Sequence, residues 1–147
     1  MKPLPAPEVL ARLLSQVTNT LLGLTFAPVE GPHAVGAWRT AELPIPGARP
    51  ITIGISSDRE SCEALSSVIF SCERANVDES MCDDSLRELT NMTAGLIKSA
   101  LALDQSLGLP RIRLGGGSAR MPPMGQSVMV KAQQMGLLVW VSEGLSV

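Results

Sequence analysis

The hydrophobic pattern changes period several times along the chain. From Glu8 to Leu24 the apolar residues Val9, Leu10, Leu13, Leu14, Val17, Leu21, Leu22 and Leu24 recur at helical spacing, and Gly23 stands where a helix stop belongs. Residues 1–7 carry Pro3, Pro5 and Pro7 and read as extended, and Ala27–Gly36, with Pro28, Gly31 and Pro32, reads as loop. Ala37–Ile45 and Ile51–Ile55 then read as strands, the second half-buried by its alternation, with Pro46–Pro50 as the turn between them. Ser56 or Ser57 is placed to cap a second helix over about Asp58–Ser71, and Glu73–Ser80 is a polar connection. The longest helical signal runs from about Met81 to Leu107, with Pro110 ending it. Beyond lie Arg111-Ile112-Arg113-Leu114, a Gly115-Gly116-Gly117 turn and Met121-Pro122-Pro123. Ser127–Gln133 and Leu137–Val141 read as two more strands. This order predicts an α+β fold, a mostly antiparallel β-sheet with long helices packed on one face.

Composition narrows the function. At 147 residues the chain fits a single domain, residues 1–147, with its own core. A net charge of −2, two Trp, two Phe and no Tyr supply neither the basic stripe nor the stacking platform of a nucleic-acid binder. One His, His33 in a Gly-Pro-His loop, builds no multi-His metal site, and Cys62, Cys72 and Cys82 stand ten residues apart, a spacing that matches no zinc motif. The expectation is no metal in this chain, buried apolar cysteines and a reducing compartment. No apolar run approaches the roughly 20 residues of a membrane span, and the start lacks a signal-peptide h-region. A cytoplasmic protein without membrane partners is expected. Gly115–Gly117 is not followed by Lys-Ser or Lys-Thr, so it reads as a turn and not as a phosphate loop.

The chemistry concentrates in Asp83–Leu101. Leu86, Leu89, Met92, Thr93, Leu96, Ile97 and Ala100 share one helical face. Asp84, Glu88, Asn91, Gly95 and Lys98 advance by four, three, four and three positions and form a second, polar stripe. Gly95 costs such a helix about 1 kcal/mol relative to Ala, and in exchange it lets another backbone or side chain approach closely.

Glu88-Leu89-Thr90-Asn91-Met92-Thr93-Ala94-Gly95, with Lys98 three residues on, resembles the signature helix of the CheX/CheC family of chemotaxis phosphatases. Leu109–Gly117 is similar to the strand and glycine turn that follow this helix in the family. The resemblance is specific over roughly residues 80–143 and architectural before that. It implies that Glu88 and Asn91, as an E-x-x-N pair, act on the aspartyl phosphate of a CheY-like response-regulator receiver. It implies a homodimer made through sheet edges, and no cofactor in this chain, since Mg²⁺ is expected in the receiver. An acyl phosphate already held near Mg²⁺ and a Lys needs chiefly a water placed in line, which is positioning chemistry. A carboxamide both accepts from and donates to water, so Asn91 suits that task. Glu88 suits a charge-assisted pairing with a receiver cation. Arg87, Gly95 and Lys98 are the candidate partner-binding residues.

Other readings remain open at this level. Roughly 0.2 E-x-x-N pairs are expected by chance from nine Glu and three Asn, and the chain has a second one, Glu73-Arg74-Ala75-Asn76, in the polar connection. Ser85-Leu86-Arg87-Glu88 fits a capping box, which would make Glu88 merely a helix cap. Arg87 stands where the family commonly has a small residue, which favours an alternative: a non-catalytic receiver-binding or protein-interaction module on the same fold.

Overall fold

The computed structural model describes residues 2–29, 37–115 and 125–145. The loop reading of residues 30–36, His33 included, and the turn reading of 116–124 lie outside them.

The first helix, α1 (Pro7–Leu22), starts with Pro7 in its first turn, where the missing N–H costs nothing. It stops two residues earlier than its apolar pattern suggests. Gly23 adopts φ 67° and its N–H donates to the Asn19 carbonyl at 3.0 Å, closing the helix with a left-handed cap. A two-residue strand, β1 (Ala27–Pro28), then pairs with β5 (Gly125–Ala132), where a loop was expected. Its Pro28 sits at the sheet edge, the position that tolerates a residue without a donor.

The remaining strands are β2 (Arg39–Ile45), β3 (Ile51–Ser57), β4 (Arg111–Leu114) and β6 (Met135–Glu143). They complete one sheet in the order β1-β5-β6-β3-β2-β4, antiparallel throughout. Alternate residues such as Leu43, Ile53, Val139 and Val130 point to one face and are fully buried. The three helices cover that face: α3 (Glu79–Ala100) lies on β2 and β3, α1 on β5 and β6, and α2 (Arg59–Ile69) between α3 and β6. This is the α+β arrangement the pattern predicts.

The central strand β3 departs from its half-buried expectation, because every one of its residues is buried. On the face away from the helices the Trp140 indole lies against Gly54. Thr40 and Ser56 share a hydrogen bond of 2.8 Å there, and Thr52 donates to the Gly144 carbonyl at 2.8 Å. Small and hydroxylated residues on this face therefore serve burial as much as the isoleucines do.

Helix boundaries show which caps operate. Asp58, not Ser56 or Ser57, caps α2, accepting from the Ser61 N–H at 2.7 Å. Asp78 caps α3, accepting from the Met81 N–H at 2.9 Å. At its other end α3 stops at Ala100, well short of the expected Leu107, and Pro110 is not its terminator. Ala102 turns left-handed at φ 54°, and the N–H groups of Ala102 and Leu103 close back onto Ser99 and Lys98. The following segment is then held by Gln105, whose side-chain amide donates to the carbonyls of Pro46 and Arg49 and accepts from the Arg49 N–H. Glu73 precedes a single 3-10 turn, Arg74–Asn76, of which Asn76 is the last residue. No helix among the described residues is long and apolar enough to cross a membrane.

A Cβ at position 54 would enter the Trp140 indole ring. Gly54→Ala is accordingly expected to lower stability by about 1–3 kcal/mol in urea unfolding, the usual cost of overpacking a core. An unchanged midpoint would show that the indole does not rest there.

Candidate functional site

The site is built on α3, whose orientation is set from three sides. Below it, Leu86, Leu89, Thr93 and Ile97 are fully buried against the sheet. Beside its N-terminal half, α2 contributes a Ser66–Ser85 hydroxyl pair at 2.8 Å, and Ser85 also donates to the Met81 carbonyl at 2.9 Å. Cys62 of α2 packs here too, its thiol directed at the Cys82 carbonyl. Burial, and then the neighbouring Cys82, push the Cys62 thiol pKa up, so it stays protonated and inert. Cys62 and Cys82 are buried, as small apolar fillers should be, whereas Cys72 departs from that expectation and is only half-buried; all three are free.

The third restraint comes from Arg39, at the start of β2. Its guanidinium meets Glu79 at 2.5 Å and Asp83 at 3.3 Å, two carboxylates one turn apart on α3. The same group lies 4.0 Å from the Trp38 ring centroid, with Arg59 of α2 at 5.2 Å from that ring. The Arg39 side chain is only 11% exposed, so its charge is held in a setting where pairing counts for more than on open surface. Asp83 and Glu79 thus tie the first turns of α3 to the sheet. Nothing local in the sequence marks this cluster, because its partners are some forty positions apart.

With its apolar face seated, the helix turns the polar stripe outward. Glu88 and Asn91 are both exposed, one turn apart, and neither side chain makes a hydrogen bond or ion pair among the described residues. The capping-box reading of Glu88 fails, since α3 begins at Glu79 and Ser85 lies inside it with its hydroxyl engaged elsewhere. Asp84 and Arg87 pair with each other at 2.9 Å along the same edge. Arg87 and Lys98 are half-buried. Among the described residues a Cβ on Gly95 would meet nothing within 4 Å. The residues singled out by the spacing are thus gathered along the outer side of one helix.

Beside the stripe, Met92 and Leu96 of α3 face Gln16, Val17 and Thr20 of α1 across a shallow groove of about 210 Å³. The contribution of α1 to this surface has no signal in the sequence. A larger cavity of about 380 Å³, lined by Glu60, Arg74, Gln133 and Gln134 among others, lies between α2 and the β5–β6 turn and contains none of the stripe residues. Among the described residues no group of three or more His, Cys, Asp or Glu side chains is arranged to hold a metal ion. The stripe offers a carboxylate and a carboxamide on an exposed helix face. Such a surface suits presentation to another macromolecule better than enclosure of a small molecule.

No curated protein matches the chain in sequence. Its fold is shared with the chemotaxis protein CheX of Vibrio vulnificus, at TM-score 0.75 and 20% identity over 92% of this chain and 93% of that one. It is also shared with a CheX from Desulfovibrio desulfuricans, at TM-score 0.74 and 15% identity over 92% and 96% of the two chains. A third similar structure is a CheX–CheY–BeF3–Mg²⁺ complex from Borrelia burgdorferi, at TM-score 0.72 and 15% identity over 92% and 96%. The sequence model of the chemotaxis phosphatase CheX matches residues 40–132, a span that runs from β2 to β5 and includes the whole of α3. The chain therefore belongs to the CheX family of chemotaxis phosphatases.

Proposed function

We propose that this protein hydrolyses the aspartyl phosphate of a CheY-like response-regulator receiver, with Asn91 positioning the attacking water and Glu88 pairing with a receiver cation. The observation that carries the reading is the exposed pair Glu88 and Asn91, one turn apart on a helix whose opposite face is buried. The similar protein of Borrelia burgdorferi, found in complex with CheY, BeF3 and Mg²⁺, supports a receiver as partner and Mg²⁺ as the receiver's ion.

The division of labour follows from the groups present. The receiver brings the phosphoryl group, the metal and a Lys beside the phosphate. The Asn91 carboxamide accepts one hydrogen bond from a water and donates another to a phosphoryl oxygen, which aligns the water without deprotonating it. The Glu88 carboxylate pairs with the receiver Lys and fixes the register of docking. Because both project from consecutive turns of one helix, their separation is held by the backbone, as a precise constellation requires. Lys98, two turns beyond Asn91, adds positive charge towards an anionic site, while the charge of Arg87 is offset by its partner Asp84.

The assay is the lifetime of a phosphorylated CheY-like receiver with and without the protein. Asn91→Ala should reduce the acceleration by about 10²-fold or more, with Tm unchanged or slightly raised, since its side chain makes no hydrogen bond among the described residues and Ala is the better helix former. Glu88→Ala should raise KM as well as lower turnover. An Asn91→Ala protein as active as the wild type would overturn the mechanism. Arg87, paired with Asp84 beside the site, favours a second reading in which the surface binds the receiver without turnover. Stable co-elution with the receiver and no shortening of the phosphate lifetime would select it.

The family resemblance extends the proposal to a homodimer through sheet edges. The outer strands are β1 and β4, and β4 carries Leu114, 76% exposed. Light scattering should give twice the chain mass, and a monomer at tens of micromolar concentration would rule the dimer out.

A further inference from the structure

We infer that Gly95 is a clearance for the main chain of the bound receiver, and that the neighbouring α1–α3 groove takes one uncharged apolar side chain of that same receiver segment. This rests on the receiver being the partner, and it adds α1 to the docking surface.

Gly95 is a residue the fold does not need. It lies in the last third of a 22-residue helix, in a conformation any residue adopts there. Glycine is among the poorest residues at such a position because it gives up the most backbone freedom. Three structural reasons usually retain it: a left-handed conformation, a close neighbouring element, or a helix stop. None applies. The backbone is helical, a Cβ would meet nothing within 4 Å among the described residues, and the helix continues to Ala100. The contrast with Gly54 is direct, since there a Cβ would strike Trp140. The space above Gly95 is therefore free of every described residue, and its use lies with something that comes from outside.

What comes is constrained by the surroundings. Gly95 is one turn beyond Asn91 on the same stripe, so a partner that brings a phosphoryl group to Asn91 comes within reach of it. With no side chain, the helix surface at this turn lies lower than at Glu88 or Lys98, which leaves room for a segment of backbone. Met92 and Leu96, each one position past Asn91 and Gly95, form the α3 wall of the groove, and Gln16, Val17 and Thr20 form the α1 wall. Among the described residues no charged side chain lines it. At about 210 Å³ it accepts one medium-sized apolar side chain. Lys98, past the glycine, places a cation beside a partner whose phosphorylated site is anionic.

The test separates stability from docking. Gly95→Ala and Gly95→Gln should raise Tm by roughly 2–4 °C, because each favours helix and meets open space. The same variants should weaken binding to a CheY-like receiver carrying beryllofluoride and Mg²⁺, several-fold for Ala and tenfold or more for Gln, with KM for the phosphorylated receiver rising in parallel. Gln16→Trp, a surface change on α1 that fills the groove, should weaken binding several-fold with Tm unaltered. Wild-type affinity in Gly95→Gln would overturn the inference, as would a lowered Tm, which would mean that the fold itself needs the glycine. A change in oligomeric mass without a change in receiver binding would assign the clearance to a second copy of this chain and overturn it too. A wild-type protein that binds the receiver without shortening the phosphate lifetime would defeat the phosphatase reading alone, and the binding comparison would still decide the role of Gly95. Absence of any receiver binding would defeat both.

Discussion

The rotational setting of α3 about its own axis governs everything else in the molecule's proposed chemistry. Leu86, Leu89, Thr93 and Ile97 are buried without remainder against the sheet. A helix has one degree of rotational freedom, and a row of buried residues running along three turns removes it. Asp84, Glu88, Asn91, Gly95 and Lys98 lie on the other side of the wheel and are carried outward. Rotating the helix by a single position would expose leucines and bury a carboxylate, and burying an unpaired charge costs far more than repacking could return. The polar stripe is thus held in place by the apolar one.

The restraints at the N-terminal end act in the same direction. Asp78 satisfies an orphan N–H, Arg39 clasps Glu79 and Asp83, and the Ser66–Ser85 pair registers α3 against α2. They prevent sliding along the axis, which the apolar stripe alone does not, because a helix shifted by a full turn presents a similar face. A site made of two side chains on one helix therefore inherits its precision from the packing of that helix. The same economy explains how so sparse a composition fits an enzyme family. In the proposed reaction the metal and the phosphoryl group belong to the partner, and the chain supplies one carboxylate and one carboxamide on a rigid mount.

Much of this was legible in the sequence because it is local. The period of Leu86 to Ala100, the spacing of Glu88 and Asn91, and the alternation of Ile51 to Ile55 each fall within one element, where side-chain direction follows from backbone geometry. What was not legible was decided by partners distant in sequence. β1 exists because β5 offers it a pairing edge, although Pro28 argues for loop. The end of α3 is set by the left-handed Ala102 and by Gln105 reaching the β2–β3 turn, so the further leucines do not extend the helix. The capping-box pattern at Ser85 was real as a string and empty as a structure, because Asp78 had already started the helix. The Arg39 clasp and the α1 wall of the groove have no local signature at all.

The proposed chemistry stands or falls on Glu88 and Asn91 being the surface presented to the phosphorylated site of a receiver. A crystal structure of the protein with a CheY-like receiver carrying beryllofluoride and Mg²⁺ tests it most directly. The predicted result is the Asn91 carboxamide within hydrogen-bond reach, about 3 Å, of a water or fluoride at the receiver's active aspartate, and the Glu88 carboxylate against the receiver Lys. A receiver seated on another face, with Glu88 and Asn91 left in solvent, would contradict it.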